Sequence, residues 1–396
     1  MKALHIIPGL TNASGPTHAL IQLVKSLEAS GVDVSLAYLG NRLPNQIEPD
    51  LKRGEVFACD AVWFRHWGYS PELRSLLERR ITEFDLLHIH SLWLYPSLIA
   101  SKLARTHGIP YIIRPAGSLE PAALNHRNLS KRIYFALWER DVINHAEQIH
   151  AVSQQEQRNI ESLNFAPDCF TIPNGIPPEN FTDLPSISVA KNKLDIAPER
   201  PVITYVGRLH PIKGLEIMIP VVRSLKKDFP KLLFLVCGPQ GHSYAQELAS
   251  KFERNGILDS TRFLGEVDQE KKILAYRAAD VAVLPSKTEN FGIVAAEALA
   301  AETPVIASEH TPWSALKDIE AGDWIPLDPV VWARTIKAYL QSPEWRKSSG
   351  IRGRDFVMRE FAWPEIGKRM KRAYLDILTA RSTPRFKDPS KTTKGE

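Results

Sequence analysis

The feature that most constrains the fold is that short apolar segments alternate with longer segments of helical period. This alternation occurs twice in the 396 residues. Runs rich in Val, Ile and Leu that alternate with such segments predict βαβ units and a parallel sheet buried on both faces. The first series comprises ALHIIPG, VDVSLAYL, LLHIHSLW, PYIIRPAG, QIHAVS and CFTIPNG. The second comprises PVITYVGRL, LLFLVCGP, TRFLGEV, DVAVLPS, TPVIAS and WIPL. Two series predict an α/β protein with two Rossmann-like, doubly wound domains.

The two series also set the expected domain boundaries. Between them, residues 172–201 are rich in Pro, Asn and Asp, which disfavours long regular elements and places the hinge there. The expected parts are an N-terminal domain over 1–172, a linker over 173–200, a C-terminal domain over 201–362, a helix over 363–380 that returns to the N-terminal domain, and a disordered basic tail over 381–396.

Composition excludes several classes of protein. Apolar residues make up 44% and charged residues 24%, as in ordinary globular proteins. The net charge is +5, but the last sixteen residues hold five basic and two acidic side chains, which leaves +2 for the body and argues against a nucleic-acid surface. Cys59, Cys169 and Cys237 lack paired spacing, which disfavours a disulfide framework or zinc site. With neither a signal peptide nor about 18 consecutive apolar residues, the expected location is the cytoplasm.

The segment YVGRLHPIKGL predicts an anion site. A strand ends at Gly207, and Arg208 and Lys213 follow before the next helix. Open α/β sheets bind ligands beyond the carboxyl ends of their strands, where a guanidinium and an ammonium can clamp a diphosphate. Taken alone, the two residues are better explained as solvated loop charges, so the anion site gains support only from the segments around them.

The segment SKTENFGIVAAEALAAETPVIAS adds two carboxylates to this region. Glu289 lies where a predicted strand ends, and Glu297 follows eight positions later inside an Ala-rich helix. The backbone N–H groups of Asn290, Phe291 and Gly292 would be free to bind oxygens at the helix N-terminus, and Gly292 would permit close approach. The alternative is that both glutamates are surface residues of a favourable helix.

The first half of the chain offers weaker signals. Gly15 lies in a loop before the first helix, but the dinucleotide and P-loop fingerprints are both missing from the sequence. His88 and His90 lie two apart on a predicted strand and therefore on one face. They fit a polar strand end or part of a metal site, and the former is favoured because no third ligand is evident nearby. No D-x-D motif is present. We therefore predict neither a metal nor a cofactor.

In order and spacing, these segments resemble the retaining glycosyltransferases of family 4, which have the GT-B fold. The resemblance covers almost the whole chain and is carried by SGPTHA, HIHSLW, RPAGSLEP, KRIYFALWERDVINHAEQIHAVS, IPNGI, YVGRLHPIKGL, the GP at 238–239, ADVAVLPSKTENFGIVAAEALAAETPVIAS and FAW. It implies two facing Rossmann-like domains with a cleft between them. RPAGSLEP and TPW look most like transferases that build bacterial exopolysaccharide or lipopolysaccharide.

The resemblance also implies roles for individual residues. Arg208 and Lys213 would clamp the donor's diphosphate, and Glu289 would contact the transferred sugar as a third catalytic residue. Glu297 would bind the ribose hydroxyls. The donor pocket would be completed by Gly15, Asn290, Phe291 and Gly292.

One position departs from the family pattern. Many members carry a His after the fourth strand, where this chain has Ala116. Arg114 or His90 is the candidate replacement as a contact to the sugar or acceptor.

The resemblance implies a retaining, metal-independent hexosyltransferase that moves a hexose from a nucleoside-diphosphate sugar to a saccharide or lipid-linked acceptor in cell-surface polysaccharide biosynthesis. Alternatives are a nucleotide-sugar epimerase of the same architecture, a sugar-binding protein without chemistry and a non-catalytic subunit. The segment HRNLSKRIYFALWER, which interleaves basic and apolar residues, fits either a helix on its own sheet or a peripheral contact with an anionic inner membrane.

Overall fold

The computed structural model describes residues 1–10, 15–41, 50–64, 66–120 and 134–382. The chain divides into two units, each built on one sheet. Unit 1 comprises Met1–Ala151, Gln157–Ile172 and Gly367–Glu396, and unit 2 comprises Val152–Glu156 and Pro173–Ile366.

Unit 1 contains a seven-stranded parallel sheet of order β3-β2-β1-β4-β5-β6-β7. Its strands are β1 (Lys2–Ile7), β2 (Asp33–Leu39), β3 (Val56–Cys59), β4 (Leu86–His90), β5 (Tyr111–Arg114), β6 (Gln148–Ala151) and β7 (Asp168–Thr171). Its helices are α1 (Gly15–Ala29), α2 (Pro71–Arg80), α3 (Tyr95–His107), α4 (Arg140–Asn144), which extends a π-helical turn over Phe135–Glu139, and α5 (Gln154–Glu161), which begins in unit 2.

Unit 2 contains a six-stranded parallel sheet of order β10-β9-β8-β11-β12-β13. Its strands are β8 (Val202–Val206), β9 (Leu233–Cys237), β10 (Thr261–Gly265), β11 (Val281–Leu284), β12 (Val305–Ser308) and β13 (Gly322–Ile325). Its helices are α6 (Ile187–Lys193), α7 (Met218–Leu225), α8 (Ser243–Arg254), α9 (Gln269–Arg277), α10 (Ile293–Ala300), α11 (Ala315–Asp318), α12 (Pro329–Gln341) and α13 (Pro343–Glu360).

Both sheets lie at the centre of their units. Every residue of β8, β9, β11 and β12 is buried, as is every residue of β4 and β5, because helices packed on both faces remove a parallel sheet from water. The prediction of two doubly wound parallel sheets is therefore confirmed. Among the described residues, no helix combines the length and the apolar character needed to cross a bilayer.

The segment expected as a linker over 173–200 is instead part of unit 2. Phe181, Ala190 and Leu194 are at most 8% exposed and belong to the core of that unit. A 3₁₀ turn over Pro178–Phe181 and helix α6 supply these side chains. The elements in this segment are short, as its Pro and Asn residues predict, but the segment packs into the core of unit 2 and is therefore not a separate linker.

The final helix, α14 (Trp363–Ser382), extends two residues beyond the predicted end at 380. It begins in unit 2, and from Gly367 onward its residues group with unit 1. Within unit 1, Lys371 Nζ donates to the Ser30 carbonyl oxygen at 2.6 Å, and the side chain of Tyr374 is fully buried. Arg381, expected in the tail, is helical and pairs with Glu147 at 3.1 Å. Residues 383–396 of the predicted tail lie outside the described residues.

One strand was missed by the sequence analysis. β3 has four residues, pairs with β2 alone at the edge of its sheet, and is only partly buried. Its apolar run, VFAC, is only four residues long, at the lower limit of length for a strand signal.

Gly238 is expected to tolerate no side chain. A Cβ built at this position would lie 2.1 Å from the carbonyl oxygen of Gly207. We expect Gly238→Ala to destabilise unit 2 by about 1–3 kcal/mol, the usual cost of overpacking. The measurement is the midpoint of urea unfolding. Gly15→Ala is the control, because a Cβ there would meet no atom within 4 Å; equal midpoints for both variants would contradict the expectation.

Candidate functional site

The candidate site of unit 2 lies where β8 and β11 end side by side. The two strands pair in parallel at the centre of the sheet, with Val281 opposite Ile203. From this point the chain order runs outward in both directions, which makes it the topological switch point where open α/β sheets bind ligands. The loops that follow the two strands contact each other, since Lys287 N donates to the Ile212 carbonyl oxygen at 2.8 Å.

Lys213 and Glu289, predicted separately from the two loops, form a direct ion pair between Nζ and Oε1. Their side chains are only 16% and 10% exposed. Ser286 Oγ donates to the same carboxylate oxygen at 2.8 Å, which fixes its position. Lys213 ends a 3₁₀ turn that begins at Pro211, and the following residue, Gly214 (φ 65°), lies so close to Pro285 that a Cβ would come within 2.2 Å of its carbonyl oxygen.

Arg208 is the exposed member of the predicted clamp. It follows Gly207 at the end of β8, and its carbonyl oxygen accepts a hydrogen bond from Tyr205 Oη at 2.9 Å. Throughout the described part of the chain, its guanidinium has no hydrogen bond or ion pair. A free guanidinium near a buried ammonium provides the two kinds of donor that phosphate oxygens accept.

The loop before helix α10 is held from behind by aromatic side chains. The Phe291 carbonyl oxygen accepts a hydrogen bond from Trp313 Nε1 at 2.7 Å, and the Phe291 ring packs on those of Trp313 and Phe361. Gly292 (φ 74°) caps the helix in a left-handed conformation that favours glycine. The segments TPW and FAW thus buttress the loop. In the first turn of α10, Ala295 N donates to the Gly292 carbonyl oxygen at 2.9 Å, and the N–H groups that precede it can receive an anion.

Glu297 is held by residues that sequence reasoning missed. Lys272 Nζ, from helix α9, lies 2.5 Å from its Oε1. Tyr276 Oη donates to the Val294 carbonyl oxygen at 3.1 Å and lies 3.5 Å from Glu297 Oε2. The Glu297 carboxylate is 12% exposed, on the helix whose N-terminus carries Gly292. The structure thus places Glu289 and Glu297 in two separate ion pairs.

Unit 1 has its own switch point, between β1 and β4. Gly15 is the first residue of α1 and is exposed, while residues 11–14 lie outside the described residues. Beyond the carboxyl ends of β4 and β5, Ser91 (φ 91°), Trp93 (φ 70°) and Ala116 (φ 50°) adopt left-handed conformations. Such strain in non-glycine residues persists only where surrounding structure imposes it, and it concentrates at functional sites.

A buried carboxyl group supports this strained loop. Glu139 ends the π-helical turn, is fully buried, and accepts a hydrogen bond from Trp93 N at 3.0 Å. Its other oxygen, Oε2, has no partner among the described residues. Burial raises the pKa of Glu139 to about 7, and the bond from Trp93 only partly offsets the effect. This carboxyl group therefore changes charge near neutral pH.

His90 and Arg114, the predicted sugar or acceptor contacts, are register partners at the ends of β4 and β5 and are both buried. His90 belongs to a histidine cluster with His88 and His5, whose ring nitrogens lie within 4.8 Å of one another. His5 is the third side chain that sequence analysis did not find, because it lies 83 residues away on β1. These rings are the candidate metal ligands of the described part of unit 1, and hydrogen bonds join them to each other and to Tyr374.

Two family profiles match the chain. Residues 14–175 match the glycosyl transferase 4-like domain, and residues 186–355 match glycosyl transferases group 1. The D-inositol 3-phosphate glycosyltransferase of Streptosporangium roseum is 30% identical over 255 residues, which are 61% of this chain and 58% of that protein. The chain thus spans little more than half the length of that relative.

Two other similarities extend over most of the chain. The D-inositol 3-phosphate glycosyltransferase 2 of Catenulispora acidiphila is 29% identical over 385 residues, 90% of this chain and 88% of that protein. The solved structure of HepE from Anabaena in complex with UDP superposes with a TM-score of 0.75 at 18% identity, covering 95% of this chain and all of that one. At this identity the likeness shows the fold.

The pH dependence of stability tests the Glu139 environment. Because the folded-state pKa is raised, the folded protein binds the proton more tightly, so the contribution of Glu139 to stability is highest below pH 4.5 and is lost as pH rises through about 7. The loss is about 1.4 kcal/mol for each unit between the unfolded and folded pKa values. We expect Glu139→Gln to remove this loss, measured as the unfolding midpoint between pH 5 and 8. Exposed Glu78→Gln is the control; a parallel pH profile for Glu139→Gln and wild type would contradict the assignment.

Proposed function

Because this chain belongs to the glycosyltransferases of the GT-B fold, built from a 4-like domain and a group 1 domain, we propose that it is a retaining, metal-independent hexosyltransferase. The donor is a nucleoside-diphosphate sugar, and the acceptor is a saccharide or lipid-linked oligosaccharide of cell-surface polysaccharide synthesis. The observation that carries the proposal is the Lys213–Glu289 pair beside exposed Arg208 at the switch point of unit 2. The complex of HepE with UDP supports a nucleotide-sugar donor.

The proposed reaction breaks the bond between the anomeric carbon and the diphosphate, and forms a bond from that carbon to an acceptor hydroxyl on the same face. The departing phosphate oxygen takes the acceptor's proton. Lys213 and Arg208 stabilise the negative charge that develops on the diphosphate, as does the N-terminus of α10. A Lys ammonium has three donors, so Lys213 can keep its bond to Glu289 while it binds a phosphate oxygen.

The remaining contacts follow from the chemistry of each side chain. The Glu297 carboxylate accepts hydrogen bonds from ribose hydroxyls, and Lys272 holds it in place. The carboxylate of Glu289 accepts from a hydroxyl of the transferred sugar. The backbone of 290–292 lines the donor pocket, and Gly15, the first residue of α1, contacts the diphosphate. His90 or Arg114 contacts the sugar or the acceptor.

The experiment that tests this function is a panel of nucleotide sugars, offered with saccharide and lipid-linked acceptors in the presence of EDTA and followed by mass spectrometry. A glycosylated acceptor with retained anomeric configuration is the expected product. An isomerised donor without acceptor consumption would favour an epimerase. Tight nucleotide binding without any product would favour a non-catalytic subunit, and activity abolished by EDTA would contradict metal independence.

Lys213→Ala is expected to lower the transfer rate by about a hundredfold, because one charge-stabilising donor is lost from the transition state. The measurement is the initial rate with the donor found in the panel. Lys193→Ala is the control, because Lys193 is also a lysine of unit 2 in an ion pair, with Glu270, but is 53% exposed. A Lys213→Ala enzyme with wild-type turnover would remove this residue from the mechanism.

An exposed aromatic patch in unit 1 supports a peripheral membrane contact. Trp63, Phe64, Leu137 and Trp138 are 79%, 64%, 60% and 44% exposed. Trp63 and Trp138, two members of this patch, are connected by a series of ring contacts. The rings in contact are, in order, Trp63, Tyr69, Tyr95, Trp67, Tyr134 and Trp138. Trp and Phe favour the interface of a bilayer. Residues 126–133 of the segment predicted for this contact lie outside the described residues.

The double variant Trp63→Ala/Phe64→Ala is expected to lose binding to vesicles that contain phosphatidylglycerol, measured by flotation. Val330→Ala is the matched control, because Val330 is an apolar residue of unit 2 with 77% exposure. Wild-type protein that fails to float at every salt concentration would contradict membrane contact.

A further inference from the structure

A continuous chain of hydrogen bonds passes through the buried face of the unit 1 sheet. His90 Nε2 lies 3.0 Å from His5 Nδ1, and His5 Nε2 lies 3.1 Å from Tyr374 Oη. Tyr374 Oη lies 2.7 Å from His88 Nδ1, and His88 Nε2 lies 3.3 Å from His150 Nδ1. Parallel pairing brings His5 beside His88, and helix α14 supplies the phenol that joins them.

The chain of hydrogen bonds ends at a backbone carbonyl oxygen, which fixes which atom of each pair is the donor. His150 Nε2 lies 2.8 Å from the backbone carbonyl oxygen of Ile172, which can only accept a hydrogen bond. His150 must therefore carry its proton on Nε2, so its Nδ1 must accept a proton from His88 Nε2. A neutral imidazole has one N–H, which leaves His88 Nδ1 to accept from Tyr374 Oη.

The same limit of one N–H on each neutral ring assigns the protons of the remaining hydrogen bonds, from Tyr374 through His5 to His90. The phenol donates its one proton to His88, so its oxygen accepts from His5 Nε2–H. His5 Nδ1 is then an acceptor, and His90 donates to it from Nε2. The consequence at the far end is that neutral His90 has no proton on Nδ1, and this nitrogen has no hydrogen-bond partner within the described residues.

All four imidazole rings must be neutral for this arrangement of donors and acceptors. Complete burial, together with the smaller effect of the positive charge of Arg114, lowers the pKa of His5 to about 3. Burial likewise holds the pKa values of His88, His90 and His150 well below the usual range, and Arg114 contributes to each. Uncharged imidazoles can each donate one hydrogen bond and accept one, as the chain requires.

A bound metal ion is the alternative to these hydrogen bonds, since His5, His88 and His90 have ring nitrogens within 4.8 Å of one another. Both nitrogens of His5 and of His88 already take part in the hydrogen bonds described above. The cation at Arg114 would also repel a divalent ion. The hydrogen-bonded chain accounts for more of the observed contacts than a metal site does.

We propose that this chain of hydrogen bonds locks His90 in its Nε2–H tautomer. The Nδ1 lone pair of His90 is thereby a hydrogen-bond acceptor for a hydroxyl group of the saccharide substrate. His90 is the last residue of β4, at the carboxyl edge where the strained Ser91–Trp93 loop begins. Tyr374 is a positioning residue that acts through His5. The identity of the substrate rests on the proposed function, whereas the tautomer does not.

The tautomer is tested by ¹⁵N NMR of the full chain labelled at histidine, with each ring assigned by single His→Gln variants. Wild-type His90 is expected to show one tautomer, protonated on Nε2. Tyr374→Phe removes the phenol that transmits the direction from His88 to His5, so the bias at His90 is expected to disappear and both tautomers to be populated. Tyr111→Phe is the matched control, because Tyr111 is also a buried tyrosine of unit 1 and donates to the Val142 carbonyl oxygen instead. It should leave His90 unchanged.

Several results would overturn the proposal. One is His90 protonated on Nδ1 in the wild type, and another is a single Nε2–H tautomer that survives Tyr374→Phe. A third is a saturable shift of the His5, His88 and His90 signals by stoichiometric ZnCl₂, because it would replace the hydrogen-bonded chain with a metal site.

The acceptor role is tested kinetically with the donor and acceptor pair found in the panel. A Gln amide can replace Nε2 but leaves the position of Nδ1 empty, whereas the oxygen of an Asn amide can occupy that position. We expect His90→Gln to raise the KM of the hydroxyl-bearing substrate by about tenfold, the effect of one lost hydrogen bond, and His90→Asn to raise it less. A KM unchanged in His90→Gln would overturn the acceptor role. Absence of all transfer in the wild type would count against the proposed function alone, since the tautomer is read without substrate.

Discussion

Parallel pairing at the centre of each sheet is the constraint on which the remaining structure depends. Strands β8 and β11 run side by side in unit 2, as β1 and β4 do in unit 1, so each pair ends at the same edge. Helices cover both faces of each sheet, which leaves the loops beyond the carboxyl ends to carry function. Lys213 and Glu289 meet because their loops follow adjacent strands, although the residues lie 76 positions apart.

Close backbone contacts hold these loops in place. Gly214 lies against the carbonyl of Pro285, and Gly238 against that of Gly207. In unit 1, where Ser91 and Trp93 take left-handed conformations, the restraint comes from Glu139 through its bond to Trp93 N. The loops of unit 2 are thus fixed by close contacts at glycine, whereas the loop of unit 1 is fixed by a buried carboxyl group.

The two units differ in the electrostatic character of their edges. Unit 2 presents paired charges, Lys213 with Glu289 and Lys272 with Glu297. A pair of this kind limits the cost of burying an ammonium. Unit 1 places uncharged imidazoles at its edge beside the Arg114 cation, and burial keeps the histidines neutral. Charged donors suit a diphosphate, whereas neutral donors and acceptors suit the hydroxyl groups of a sugar.

The sequence by itself determined both sheets except for the edge strand β3, because the apolar runs of parallel strands are local signals. It also placed Lys213, Glu289 and Glu297 beside strand ends and a helix, since each lies in a continuous motif. The tertiary structure alone decided their partners. Lys272 reaches Glu297 from another helix, and Tyr374 joins His88 across 286 positions and His5 across 369. No local pattern encodes such contacts, because they arise only when helices pack on a sheet and buried polar atoms must find hydrogen-bond partners.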